Sequence, residues 1–485
     1  MFEWFYASRP TSESAALMDR ICAASRAENR AAAAQLEAIG GLFAHRLSCC
    51  GETDDWAVDS EAAAAAEVAA GLRISQPQAA SRVRYARALR ERLPAVGEVF
   101  KSGDIDYRAF QTIVFRTDLI TDTEVLVSVD EQLALNVTHW PSMSQGRLSG
   151  QIDKIVAKAD ADAVRRRTKE QADREIWIGQ EQDGLAQIQG SLLSPDAHAL
   201  DARLTALAAT VCAHDPRTAA QRRADALGAL AAGADRLGCR CARPDCAAGA
   251  RPAASPVTIH VIAEQATLDG RGDAPACEVC ADGLITPELL TELAKTAKLV
   301  PLIHPADAPP EPNYVPSAAL AAFVRCRDLT CRWPGCDHPA TACDLDHTIP
   351  HAQGGPTHAA NLKCYCRTHH LVKTFWGWRE QQLPDGTLIL TSPAGQTYVT
   401  TPGSALLFPS LCRAVGGMPA PEADLAPDDY CGQRTAMMPK RRRTRAKHRA
   451  QRIAAERRQN HQARTTPKAH LGPAPPGPDD DPPPF

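Results

Sequence analysis

Apolar residues recur at three- and four-residue intervals from Ser12 to about Asp162, with Gly, Pro or short polar runs between the repeats. That period predicts amphipathic helices over Ser12–His45, Ser60–Leu72, Gln76–Arg92, Asp106–Arg116, Thr123–His139 and Ser142–Ala161. After Arg174 the period shortens. REIWIGQ and LAQIQGSLL flank a Gln182-Asp183-Gly184 turn, the pattern of a β-hairpin. Ser194-Pro195 opens another helix with Pro at its first position. A further helix is expected from about Thr218 to Asp235, PVTIHVIAE (256–264) reads as a buried strand, and Thr286-Pro287 starts one more helix.

Residues 301–316, PLIHPADAPPEPNYVP, read as a semi-rigid proline-rich linker. A helix from Ser317 to Arg327 and apolar alternation through about Thr400 follow. The expected organisation is therefore a mainly helical domain over 1–300 with a small β element, a linker over 301–316, a small α+β module over 317–402, and a disordered basic tail over 403–485.

Composition supports the helical bias, because alanine is abundant and aromatics make up only 5% of the chain. The formal charge of −3 conceals an asymmetry: residues 440–468 hold twelve Lys/Arg and one acid. Such a tail attracts a polyanion by counterion release, which makes Arg441, Arg442 and Arg443 candidate nucleic-acid contacts. The N-terminus lacks the pattern of a secretory signal, and no apolar run reaches the roughly 18 residues of a membrane helix. A cytoplasmic protein without a membrane partner is expected, its 17 cysteines reduced and their clusters suited to metal. VAAGLRISQPQAASRV (68–83) has the form of a helix-turn-helix, which would put Arg82, Arg84 and Arg87 against DNA. An αα-hairpin with solvated arginines has the same pattern.

The chemistry is densest in DLDHTIPHAQGGPTHAANLKCYCRTHHLVKT, from Asp344 to Thr374. Cys331 and Cys336 lie across a Pro-Gly turn, and Cys366 and His369 follow at two-residue spacing; together they suit a closed tetrahedral zinc. Cys326, Cys343 and Cys364 are nearby substitutes. His369 and His370, adjacent on a helix, point about 100 degrees apart, so His370 is left for another centre. Asp346-His347 ends a short strand, Gly354-Gly355 reverses the chain, and Asn361 follows. His351 and His358 are expected to be solvated loop residues, and Trp376 and Trp378 to pack in the core. Cys239, Cys241 and Cys246, with Cys277 and Cys280, are candidates for a second zinc; incidental free thiols are the alternative.

The residues DH, GG, N, L, C, H, H and K between Cys331 and Lys373 resemble an HNH endonuclease, the ββα-metal nuclease fold. With LPAVGEVFKSGDIDYRAF upstream, most of the chain to about residue 415 resembles the actinobacterial thirteen-E-twelve repeat family. That family joins an N-terminal domain of unknown function, numbered two hundred and twenty-two, to an HNH module. The resemblance implies that His347 is a general base and that Asp346 and His370 hold one divalent cation, Mg²⁺ or Mn²⁺. Asn361 would brace the loop and orient His347, or lend its carbonyl to the metal. Cys331, Cys336, Cys366 and His369 would hold a structural zinc, and Lys373 would contact nucleic acid. The expected activity is hydrolysis of phosphodiester bonds in DNA, with RNA an open substrate. The alternative is a zinc-stapled DNA-binding protein of a repeated or mobile element that does not cut.

Overall fold

The computed structural model describes residues 11–50, 53–140, 143–165, 175–182, 185–192, 194–246, 260–279, 284–295, 297–416 and 437–465. The protein is mainly helical with small sheets. It divides into two compact units, one of residues 1–65, 79–166 and 439–485, the other of 66–78 and 167–438. The expected boundaries differ: the second unit takes in residues 167–300, and the C-terminal segment belongs to the first unit.

The first unit is built on helices at nearly the predicted positions: α1 (Ser12–Cys50), α2 (Ser60–Leu72), α3 (Gln76–Arg87), α4 (Pro94–Ser102), α5 (Tyr107–Arg116), α6 (Thr123–Val137) and α7 (Gln145–Ala159). The middle of the α2–α3 pair, residues 66–78, clusters with the second unit. Leu36, Leu93, Phe100, Phe110, Ile113, Val129 and Leu133 are fully buried, the apolar faces that the 3.6-residue period announced. Phe100 stacks on Phe110 at 5.0 Å between ring centroids. Buried Asp130 on α6 accepts the Ala95 and Val96 amides at 2.7 and 3.0 Å, so a side chain from one helix caps the first turn of α4. The α2–α3 pair has the helix-turn-helix form; Arg84 is exposed and lies on its neighbour Tyr85, whereas Arg82 and Arg87 are engaged within the unit. Arg82 donates to Gln35 at 2.5 Å, and Arg87 pairs with Glu61 and Glu91, each at 3.2 Å.

The basic tail is not disordered throughout. Residues Arg445–Thr465 form a helix whose arginines meet carboxylates of the same unit. Arg457 pairs with Asp160 at 2.6 Å, Arg464 with Asp162 at 3.1 Å, and Arg449 with Asp118. Buried Asn460 donates to the Asp162 and Val164 carbonyls, both at 2.9 Å. Like-charge repulsion argues for disorder only while the segment is taken alone; a strip of acids removes that objection. The acidic end of the chain lies outside the described residues.

In the second unit, β1 (Ile176–Gln182) pairs antiparallel with β2 (Leu185–Gly190); the Asp183-Gly184 turn lies outside the described residues. Helices α8 (Ser194–Ala208) and α9 (Ala219–Ala231) follow. A small sheet joins β3 (Val261–Ile262), β4 (Ala276–Glu278) and β5 (Leu284–Ile285), with α10 (Gln265–Leu268) between the first two strands and α11 (Pro287–Ala294) after the third. β3 covers part of the predicted strand 256–264, of which 256–259 lie outside the described residues.

After α12 (Ala318–Asp328), β6 (Asp344–His347) and β7 (Leu362–Tyr365) form an antiparallel hairpin, and α13 (Arg367–Phe375) follows directly. A three-stranded antiparallel sheet of β8 (Arg379–Gln382), β9 (Leu388–Thr391) and β10 (Thr397–Thr400) completes this part. Buried Arg327 at the end of α12 donates to the Ala359 and Leu362 carbonyls at 2.8 Å, and Asp328 accepts the Cys364 amide at 2.8 Å. These bonds fix the hairpin against α12. Trp376 and Trp378 are buried, as expected of packing residues.

Candidate metal and catalytic site

The site is assembled from β6, β7, α13 and the loop between the strands. Strand alternation puts Asp344 and Asp346 on one face, and both meet His370 on the first turn of α13. His370 Nδ1 lies 2.8 Å from Asp344 Oδ2, and Nε2 lies 3.2 Å from Asp346 Oδ1. Asp344 had not been singled out in the sequence; the signal was there in its position two residues before Asp346.

Asp346 is buried and crowded by cations. Lys363 Nζ, from the facing position of β7, donates to Oδ2 at 2.8 Å, and Lys373 Nζ to the same oxygen at 3.1 Å. Both lysines also pair with buried Glu380, at 2.6 and 3.2 Å. Burial would raise the Asp346 carboxyl, but Lys363, His370 and Lys373 outweigh it and hold the group well below the usual carboxylate range. For His370, burial opposes protonation, and the bonds to Asp346 and Asp344 overcome it, so the imidazole keeps its proton above its ordinary pKa. Lys373 also donates to the His347 carbonyl at 2.8 Å. Its ammonium is thus committed to the interior, and the expected nucleic-acid contact at Lys373 is not what the structure presents.

His347 turns the other way, toward the loop. Its Nε2 lies 2.9 Å from Thr357 Oγ1, which donates in turn to the Tyr314 carbonyl at 3.5 Å. Tyr314 stacks on the His347 ring at 5.2 Å with an interplanar angle of 17°. His347 is 4% exposed. Burial lowers its pKa against the pull of Asp346, with His351 and the two lysines adding to the lowering. The structure thus brings Asp346 and His370 into contact, while the His347 side chain faces the loop, with Thr357, Tyr314 and His351 as its partners. The segment expected to be a linker packs onto this loop. Glu311 bridges to Thr357, and His358 Nε2 meets the Ala308 carbonyl at 3.1 Å. His358 is therefore buried rather than solvated, while His351 is exposed.

Asn361 braces the loop. Its Nδ2 donates to the Ile349 and Pro356 carbonyls at 3.0 and 2.9 Å, and its Oδ1 accepts the Ile349 amide at 2.8 Å. All three bonds go to the loop backbone, which is the bracing role. Gly355 allows the reversal, because a Cβ there would lie 1.9 Å from the Ile349 carbonyl oxygen.

Cys331, Cys336, Cys366 and His369 converge, one ligand atom from each lying within 4.8 Å of the others, and can hold a metal ion. Cys366 Sγ is 3.3 Å and Cys331 Sγ 3.6 Å from His369 Nδ1. Trp333 stacks on His369 at 4.8 Å, and the ring's other nitrogen lies 3.5 Å from Gln76 Oε1. The substitute thiols Cys326, Cys343 and Cys364 are outside this group. Of the tail candidates, Arg441 donates to the Ala57 carbonyl at 2.7 Å and pairs with Asp59 at 3.5 Å, which leaves Arg442 and Arg443 exposed. Among the described residues no helix is long and apolar enough to cross a membrane.

A model of the domain of unknown function DUF222 matches residues 23–328. The chain is 44% identical to the uncharacterized protein Rv3776 of Mycobacterium tuberculosis, over 92% of this chain and 90% of that one. It is 42% identical to the uncharacterized protein Rv2100 of the same species, over 93% of this chain and 88% of that one. No solved structure matches.

Proposed function

The chain belongs to the DUF222 family, and we propose that residues 317–402 act as an HNH-type endonuclease module that hydrolyses phosphodiester bonds in DNA. The observation that carries this reading is the meeting of Asp346 Oδ1 with His370 Nε2 at 3.2 Å, with Asp344 on the ring's other nitrogen. Such carboxylate–histidine pairs orient metal-ligating imidazoles. Lys363 and Lys373 hold Asp346 Oδ2 at 2.8 and 3.1 Å, and Lys373 reaches Oδ1 only at 3.4 Å, so the cation would take Oδ1 and His370 Nε2, in place of the proton that nitrogen carries. That set fits a cation of the Mg²⁺ class, which takes one or two carboxylates and completes its shell with water and phosphate oxygens. When bound, the cation would offset charge on the scissile phosphate and the departing 3′ oxygen.

His347 supplies the base. The Thr357 hydroxyl, itself donating to Tyr314, accepts Nε2–H, so Nδ1 carries the lone pair. Burial keeps the ring neutral near physiological pH. Nδ1 takes the proton of the attacking water, and the products carry 5′-phosphate and 3′-hydroxyl ends. Asn361 holds the loop that aims His347. Cys331, Cys336, Cys366 and His369 hold a structural zinc, for which sulfur–nitrogen edges of about 3.5 Å are expected from tetrahedral bond lengths; the 3.3 and 3.6 Å separations agree. The exposed Arg442 and Arg443 contact phosphate.

The test is incubation of supercoiled plasmid with Mg²⁺ or Mn²⁺ and either the wild type or His347→Ala. Cutting by the wild type and at least 100-fold less by the variant is expected, on the order of general-base contributions. Equal cutting by both proteins would remove His347 from the mechanism. A second reading is supported by Tyr314 lying over His347 and by the two ammoniums on Asp346: a DNA-binding module that does not cut. It requires that both proteins retard the plasmid and neither nicks it. Loss of RNA beside an intact plasmid would reassign the substrate.

A further inference from the structure

Four thiols outside this site have no part in it. Cys212 lies in the turn after α8, and Cys239, Cys241 and Cys246 lie in the loop after α9. Their sulfur atoms all fall within 4.8 Å of one another. Cys212 and Cys239 Sγ, 27 residues apart in sequence, are 3.5 Å from each other. A tetrahedral ion with bonds of about 2.3 Å to sulfur has sulfur–sulfur edges of roughly 3.8 Å. The spacing is that of ligands around one ion and is far longer than a disulfide of about 2.05 Å.

The surroundings are built to hold the loop. Arg217 donates to the Gly238 carbonyl at 2.6 Å and pairs with buried Asp215 at 2.7 Å; Asp215 accepts the Arg240 amide at 2.9 Å. The Leu237 amide donates to Thr210 Oγ1 at 2.9 Å. Ala242, between two of the cysteines, takes a left-handed φ of 55°, so the loop turns sharply where the thiols must converge. The local apolar core is small: Ala229, Ala234 and Leu237, with Val211 packed against them. A segment with so little buried hydrocarbon gains most from a metal staple.

We propose that Cys212, Cys239, Cys241 and Cys246 hold a second zinc ion as a four-thiolate structural site that ties the α8–α9 pair to the following loop. The thiols release their protons to solvent on binding, and the completed site carries two negative charges, with Arg240 and Arg243 in the same loop. This ligand set differs from the one the sequence suggests. Cys277 is buried in β4 and outside the cluster, Cys280 lies outside the described residues, and Cys212 replaces them.

Zinc content of the full chain tests this. Two equivalents per chain are expected for the wild type and for Cys277→Ser, and one for Cys212→Ser and for Cys336→Ser, which report separately on the two clusters. Should Cys212→Ser fail to fold, alkylation of the wild type by N-ethylmaleimide, mapped by mass spectrometry, provides the second reading. Cys212, Cys239, Cys241 and Cys246 should resist modification until a chelator is added, whereas exposed Cys22 and Cys49 react at once. One equivalent of zinc in both wild type and Cys212→Ser overturns the proposal. So does alkylation of the four thiols at a rate the chelator does not change. Neither result depends on nuclease activity.

Discussion

His370 meets Asp344 through Nδ1 at 2.8 Å, which leaves Nε2 as the nitrogen turned to Asp346. Two carboxylates on one strand face thus hold one imidazole; under the proposed function Asp344 orients it and Asp346 shares the cation with it. Asp344→Asn is expected to raise the Mg²⁺ concentration needed for half-maximal plasmid cutting by about 10–100-fold, the usual effect of losing an orienting carboxylate. DNA retardation should change little. An unaltered metal dependence would remove Asp344 from the site.

Lys363 is 1% exposed and joins Asp346 to Glu380. Its loss leaves two carboxylates short of a counter-charge in a dry interior. Lys363→Ala should therefore destabilise the second unit by about 3–5 kcal/mol, the range for breaking one partner of a buried pair. Urea denaturation followed by tryptophan fluorescence reads this, with exposed Lys295→Ala as the comparison. A shift within about 0.5 kcal/mol for both would show that solvent reaches the network.

The tail helix rests on ionised acids, and acid should release it. Burial raises Asp118, but Arg449, Arg92 and Arg165 outweigh burial and leave its carboxyl below the ordinary value. A depressed carboxyl contributes stability above its unfolded pKa, about 3.9, and that contribution is lost as pH falls through the folded value. Hydrogen exchange of residues 445–465, measured relative to the intrinsic amide rate at each pH, should stay slow at pH 6 and accelerate below about pH 4. Asp118→Asn should bring the same acceleration to neutral pH. Equal protection at every pH would mean that apolar packing around Ile453 holds the helix instead.

Much of the fold was legible. The helix boundaries of the first unit follow the 3.6-residue period, and Asp106, Asp122, Thr218, Thr286 and Ser317 cap helices as their position before apolar runs suggests. Helix α3 shows the limit. The apolar period runs on through Arg92, but the backbone widens into a π turn over Ala88–Arg92 before Pro94. The Cys331/Cys336/Cys366/His369 group was legible because two close-spaced pairs keep ligands together whatever the intervening chain does. Cys212 was not, since a single cysteine carries no spacing of its own.

The sequence by itself determined the elements and the short-range chemistry: which residues line a helix face, that Asp344 and Asp346 share a strand face, and that Gly354-Gly355 reverses the chain. These follow from backbone geometry over a few residues. Only the tertiary structure decided that Tyr314 covers His347, that Lys373 points inward to Asp346, and that Arg449, Arg457 and Arg464 meet Asp118, Asp160 and Asp162. Each joins segments far apart in the chain. Burial and charge pairing across packed elements settle such contacts, and no local period encodes them.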